Sequence, residues 1–283
     1  MSVAIVTDST ASLPAEVAAA RDITVVPLQV VIGATSYDEG VGGATAEMLA
    51  EALRAWTPVS TSRPNPDEML EVYDRLAKDG ATQIVSVHLS GELSGTFESA
   101  QLASRRASVP VLAVDSRQVG MGAGFAVLAA ADVRDTGGDA AAVAAAARKR
   151  ASTTTSLFYV DTLEHLRRGG RMGAASALIG SALAVKLILR IDDGRVAPFE
   201  RVRTAGKALH RLEELAVEAA GSVAVDVAVA HLASPDRAAA LADRLGSRLA
   251  TGLDGRPVHV GEIGAVLGAH VGPGMVAVCV ARR

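Results

Sequence analysis

A strand that runs into hydroxyl and glycine residues just before a helix puts free backbone N–H groups and side-chain O–H groups in one place. Residues Val87-His88-Leu89-Ser90-Gly91-Glu92-Leu93-Ser94-Gly95-Thr96 have that pattern, between the apolar run Ile84–Val87 and the helical segment Phe97–Ala107. Such a junction holds an anion without lysine or metal, because unpaired N–H groups gather at a helix start. Three further loops are rich in hydroxyls: Thr7-Asp8-Ser9-Thr10, Thr61-Ser62-Arg63-Pro64 and Asp115-Ser116-Arg117. In a parallel sheet the loops after the strands gather at one edge, where such folds take their ligands. Taken singly, each loop is explained by helix capping and turn closure. Together, Ser94 and Thr61 favour hydrogen bonding to an oxyanion.

Other constellations exclude chemistry or leave it open. Gly120-Met121-Gly122-Ala123-Gly124 lacks dinucleotide spacing, and no phosphate-loop lysine motif is present. In Gly91-Glu92-Leu93-Ser94-Gly95 the serine falls one position too late for a nucleophile elbow. The six histidines have no metal-ligand spacing. His88 ends an apolar run and reads as structural. His270 lies in the glycine-rich stretch Gly268–Gly274, read as a loop, where a close ligand approach and a plain turn both account for the glycines. Arg167-Arg168-Gly169-Gly170-Arg171, Arg201 and Arg203 are either a solvated surface or a docking face for an acidic or phosphate-bearing partner.

The elements that must position these residues alternate. Val3–Val6, Ile23–Leu28, Ile84–Val87 and Val111–Val114 read as buried strands, and Ala44–Ala55, Pro66–Lys78, Phe97–Ala107 and Asp139–Arg150 as helices. The alternation predicts an N-terminal, mostly parallel sheet flanked by helices. Asn65-Pro66-Asp67-Glu68 has the composition of a capping box. Beyond a Ser/Thr cluster near residues 151–156 the pattern changes. Leu187–Ile191 and Val196–Val202 flank Asp192-Asp193-Gly194-Arg195, a hairpin signal. A helix over Thr204–Ala220, strands over Val223–His231 and Met275–Ala281, and a helix opening at Ser234-Pro235 follow. The expected architecture is α/β. Residues 1–154 form an α/β domain with hydroxyl-rich loops, and residues 155–283 form an α+β domain with a mixed or antiparallel sheet. The ligand lies between the domains or at their edge.

Composition narrows the ligand. The 283 residues carry a net charge of −3 and only 3% aromatics, so neither a basic field nor a stacking platform for nucleic acid is present. The one cysteine, Cys279, sits in an apolar run and reads as an inert buried thiol. The first residues enter a strand directly, without a secretory pattern. The stretch Gly173–Val185 is too short and too polar to span a bilayer. A soluble cytoplasmic protein without an integral membrane segment is expected.

The order and spacing of Val6-Thr7-Asp8-Ser9-Thr10, Thr61-Ser62-Arg63-Pro64, His88–Thr96, Leu163–Met172 and Gly268–Gly274 resemble the DegV family, from about residue 3 to the C-terminus. The resemblance implies a two-domain α/β protein that binds a long-chain fatty acid such as palmitate and needs no cofactor. It implies a bacterial lipid-metabolism role as the non-catalytic subunit of a fatty acid kinase. A separate ATP-dependent kinase subunit phosphorylates the bound carboxylate, and the acyl phosphate enters phospholipid synthesis. Residue by residue, it places Thr61, Ser62, Ser94, the Gly95 amide and His270 on the carboxylate. Arg171 and Arg203 fall near the exposed carboxylate or the kinase. Arg63 stands where the family commonly has Gln, at a head-group or docking position. The chemistry is coherent, since buried hydroxyls and N–H groups suit a carboxylate. An acyl chain of about 16 carbons gains roughly 10 kcal/mol by burial before ordering costs. The other readings are a serine hydrolase of acyl esters built on Ser94 and a histidine, and a general lipid transport protein.

Overall fold

The computed structural model describes residues 2–40, 42–172 and 186–283. The stretch Gly173–Val185 lies outside them; among the described residues no helix is long and apolar enough to cross a membrane.

Four strands pair in parallel in the order β2-β1-β6-β7: β1 (Val3–Asp8), β2 (Ile23–Val26), β6 (Gln83–His88) and β7 (Val111–Asp115). Strand side chains alternate between faces, and both faces here are apolar, so helices cover both. On one face Val3, Ile5, Val85 and Val87 pack against α1 (Ala15–Ala20), α5 (Met121–Asp135) and the alanine-rich α6 (Ala140–Ser152). On the other, Val6 and Ile84 meet α3 (Pro66–Lys78) and α4 (Thr96–Ser104) through Met69, Tyr73 and Ala103. The expected capping box forms: Asn65 Oδ1 accepts from the Asp67 and Glu68 amides, and Glu68 accepts from the Asn65 amide.

A second sheet has the order β10-β9-β8-β13-β11-β12 and is mixed, as expected. It contains β8 (Thr154–Tyr159), β9 (Lys186–Asp192), β10 (Arg195–Val202), β11 (Val225–His231), β12 (His259–Glu262) and β13 (Val276–Arg282). Only β11 and β12 run parallel. The hairpin turn is Asp193-Gly194, both at positive φ (48° and 81°) as a two-residue I′ turn requires. One face of this sheet packs on α8 (Ala205–Ala220), α9 (Pro235–Arg248) and α10 (Ala250–Leu253). The opposite face carries Phe158, Leu189, Ala277 and Cys279. It is covered by α2 (Ala46–Arg54), α7 (Glu164–Arg168), α11 (Ala265–Val271), the start of α5 and a small antiparallel sheet.

That small sheet, β4-β3-β5, revises the reading of Thr61. It joins β3 (Gln29–Ile32), β4 (Thr35–Asp38) and β5 (Val59–Ser62), so Thr61 and Ser62 end an antiparallel strand rather than lie in a loop after a parallel one. Its β3–β4 turn is Gly33-Ala34, with Gly33 at φ +63° as the first position of a two-residue II′ turn requires. Likewise, His270 lies in α11 and not in a glycine loop. Gly268 lets α11 approach α2 closely: a Cβ there would stand 2.4 Å from Leu49 Cδ2. Arg167 and Arg168 end the short helix α7, and Arg171 follows it.

At Gly124, on α5, a Cβ would meet the Ala11 carbonyl oxygen at 2.6 Å. A backbone atom cannot step aside as a side-chain tip does. Gly124→Ala is therefore expected to cost about 1–3 kcal/mol and to lower the midpoint of thermal unfolding. An unchanged midpoint would contradict this packing.

Candidate functional site

Where the six-stranded sheet, α11, the small sheet and the loop after β6 converge, they enclose a cavity of about 430 Å³. Its wall is mostly aliphatic, with Leu28, Leu93, Val196, Val266 and Met275 among the lining residues. Polar side chains are concentrated in a group formed by Thr61, Ser62, Arg63, Ser94, Arg171 and His270, with the backbone of Gly95 beside them. Seven of the eight residues singled out from the sequence thus line one cavity. The eighth, Arg203, is exposed between β10 and α8 and is not part of the wall.

The site is built from three segments. The exit of β5 supplies Thr61, Ser62 and Arg63. The loop after β6 supplies Ser94 and Gly95 ahead of α4. The last turn of α11 supplies His270. Thr61 Oγ1 and His270 Nε2 are 2.9 Å apart, linking residues 209 positions distant in sequence. Ser94 Oγ lies 2.9 Å from Thr96 Oγ1 and accepts from the Thr96 amide at 3.3 Å, which fixes the start of α4. Arg63 donates to the Gly95 carbonyl at 3.0 Å and pairs with Glu98 at 2.7 Å. Arg171 donates from Nε to the Leu93 carbonyl at 3.0 Å and from Nη1 to the Gly169 carbonyl at 2.6 Å. The two guanidiniums therefore occupy carbonyl oxygens of the Leu93–Gly95 loop. A loop whose carbonyls are occupied repels an anion less, and both guanidiniums add positive charge beside it.

Burial, and then the Arg171 guanidinium, hold the His270 pKa down at about 4. Among the described residues, His270 Nδ1 is buried without a hydrogen-bond partner. The imidazole is accordingly neutral near pH 7, with Nε2 directed at Thr61.

Two of the four hydroxyl-rich loops do not reach the cavity. Neither Thr7-Asp8-Ser9-Thr10 nor Asp115-Ser116-Arg117 contributes to the wall. Ser9 Oγ instead accepts from the Leu28 amide at 3.0 Å, and Asp115 Oδ1 accepts from the Arg117 amide at 2.7 Å. These are turn and anchor roles. Cys279 is buried, as expected, and burial raises its pKa, so its thiol stays protonated; it also lines the cavity with Ser156, 3.5 Å away. The scarcity of aromatics already implied an aliphatic lining, but sequence reasoning placed none of its residues, because apolar residues that line a cavity do not differ in pattern from those that fill a core.

The geometry does not pair Ser94 with a histidine. His270 is engaged with Thr61, and Ser94 with Thr96. A Ser-His-Asp chain does exist elsewhere: Ser86 Oγ is 2.7 Å from His88 Nε2, and His88 Nδ1 is 2.9 Å from Asp8 Oδ2. All three residues are fully buried, Tyr73 donates to Ser86 Oγ, and none lines the cavity. A nucleophile needs access to substrate, which this serine lacks.

A helix-flanked parallel sheet joined to a mixed sheet, with an aliphatic cavity and a hydroxyl–imidazole–guanidinium group on its wall, defines an α/β protein whose cavity has the makeup of a small-molecule site. The chain belongs to the DegV family, whose model matches residues 2–283. A DegV domain-containing protein of Streptomyces coelicolor is 54% identical over 281 residues, covering 99% of both chains. Among solved structures, a DegV family protein from Thermus thermophilus, described for its fatty acid binding, superposes with a TM-score of 0.92 at 32% identity, with complete coverage of both chains. DegV of Bacillus subtilis, described as a fatty acid binding protein, does so with a TM-score of 0.90 at 33% identity, again with complete coverage.

The lowered His270 pKa carries a pH dependence with a definite sign. Between pH 6.5 and about 4 the unfolded chain binds the proton and the folded chain does not. Stability therefore rises with pH through that window, and acidification from pH 7 to 4 costs roughly 2–3 kcal/mol through this group. Burial also lowers His165 and His259, with the same sign. Urea unfolding at a series of pH values is expected to show a shallower slope in His270→Gln than in the parent chain. Equal slopes would refute the assignment.

Proposed function

We propose that this protein binds a long-chain fatty acid, with the acyl chain in the aliphatic cavity and the carboxylate at Thr61, Ser94 and His270. The observation that carries this reading is the makeup of the cavity: one apolar wall, one gathered set of donors, and a hydrogen bond joining Thr61 to His270. The two DegV structures described as fatty acid binding share this fold throughout their length. Burial of each methylene gives roughly 0.8 kcal/mol, so the chain supplies most of the affinity and the polar group sets orientation.

With His270 neutral and Nε2–H donating to Thr61 Oγ1, the Thr61 hydroxyl keeps its own proton for a carboxylate oxygen. Ser94 and the Gly95 amide supply further donors, and Ser62 stands beside them. Arg63 and Arg171 act mainly through the loop carbonyls they hold. In this reading residues 1–154 form the head-group domain and residues 155–283 the second domain, with the ligand between them. The protein presents the carboxylate to a separate ATP-dependent kinase subunit, which makes the acyl phosphate for phospholipid synthesis. Exposed Arg203 is available for that docking.

Native mass spectrometry of the purified protein is expected to reveal a co-purifying fatty acid. The double variant Thr61→Ala/Ser94→Ala is expected to bind palmitate at least tenfold more weakly. An empty parent protein that takes up no added fatty acid would sink the binding reading. The kinase reading has its own measure: acyl phosphate formed with a purified fatty acid kinase and ATP, expected to fall in Arg203→Ala while palmitate binding is unchanged. Undiminished turnover in that variant would remove Arg203 from the docking surface.

A further inference from the structure

The loop that carries Ser94 leaves β6 at Leu89, and that residue is held by a side chain from another strand. Asp8, at the end of β1, accepts the Leu89 amide at 3.1 Å and His88 Nδ1 at 2.9 Å, both on Oδ2. Its Oδ1 accepts the Thr10 amide at 3.1 Å and the Thr10 hydroxyl. Each carboxylate oxygen is thus engaged twice, which uses the capacity of the group. Behind Asp8 stands an oriented chain. Tyr73 donates to Ser86 Oγ at 2.9 Å, so the single Ser86 proton is directed to His88 Nε2 and the His88 proton on Nδ1 to Asp8. Asp8, Ser86, His88 and Tyr73 are all at 0% exposure.

A fully buried polar chain is costly unless every member is satisfied, and helices α3 to α5 would pack as well on apolar residues. What the chain provides is direction. It fixes one acceptor at one point, beneath the first residue of the loop. Leu89 and Leu93 both line the cavity, and the loop closes through the Leu93 and Ser94 amides donating to the Ser90 carbonyl at 3.0 and 3.1 Å. The Ser90 amide in turn donates to the Gln118 carbonyl at 2.9 Å. From Asp8 to Ser94 the path is therefore continuous.

We infer that Asp8, oriented by the buried His88–Ser86–Tyr73 chain, is the positioning residue that sets the Leu89–Gly95 loop for an incoming carboxylate. This assignment deepens the fatty-acid reading and rests on it. Asp8 does not touch the ligand. It acts through Leu89, and a loop displaced by a fraction of an ångström misplaces its donors.

The test compares palmitate with methyl palmitate, which shares the acyl chain and lacks the charge, and follows hydrogen exchange at the Leu89 amide. Asp8→Asn places an amide donor where one pair of donors must be accepted. It is expected to weaken palmitate about tenfold, to leave methyl palmitate within twofold, and to speed Leu89 exchange. Equal weakening of acid and ester means a general structural role and overturns the inference, as does an unchanged acid-to-ester ratio. If Asp8→Asn does not fold, Tyr73→Phe takes its place, with the same pattern expected at about threefold and the same results overturning it. A parent protein that binds neither acid nor ester overturns the fatty-acid reading instead, and Leu89 exchange in the variant then decides the positioning role alone.

Discussion

An apolar sheet face has to be covered, and among the described residues the second face of the six-stranded sheet has no stacked pair of long helices to cover it. Helices α8 and α9 are spent on the first face. The second is roofed by short pieces: α11, α7, α2, the small sheet β4-β3-β5 and the first turn of α5. Short pieces with different directions cannot interdigitate as two long helices do, and a void of about 430 Å³ is left between them and the strands. The cavity follows from how that face is closed. So does its polarity, because the ends of β5 and α11, the segment after α7 and the loop after β6 meet at its wall, and such junctions bring N–H groups, hydroxyls and charged side chains with them.

The second consequence concerns the loop after β6. A strand-to-helix junction offers carbonyls as well as amides, and carbonyls oppose an anion. Arg63 and Arg171 come from two different parts of the chain and take the Gly95 and Leu93 carbonyls. One arginine arrives from the small sheet and the other from the segment after α7, so the loop acquires its character only when both have docked. The same docking places Arg171 close enough to His270 to help hold the imidazole neutral. Charge on the guanidinium and neutrality on the imidazole are parts of one arrangement.

The buried polar chain from Tyr73 to Asp8 shows how a hydroxyl-rich motif can serve a site without entering it. Thr7-Asp8-Ser9-Thr10 looked like a ligand loop, yet its side chains hold the amides of Leu89 and Leu28, two residues that line the cavity. The distances within Ser86, His88 and Asp8 match those of a hydrolytic triad, but burial gives the group a structural role. Distances establish an orientation of protons; access establishes whether chemistry can use it.

Sequence alone determined the strands of the parallel sheet, several helices, one hairpin and the seven cavity residues as candidates. The parallel sheet, the capped helix at Asn65, the Asp193-Gly194 hairpin and the helix opened by Thr204 are set by local periodicity and turn chemistry, which act over a few residues. Ser94 was legible for the same reason, since a strand, a hydroxyl loop and a helix stand consecutively in the chain. Tertiary structure alone decided what those residues meet. It placed Thr61 on an antiparallel strand and His270 on a helix, and brought them to 2.9 Å across 209 residues. It enclosed the aliphatic cavity, kept Arg203 out of it, and turned Asp8 toward Leu89. No local pattern encodes these outcomes, because a void, a long-range hydrogen bond and a depressed pKa are properties of packed neighbours that the chain keeps far apart in sequence.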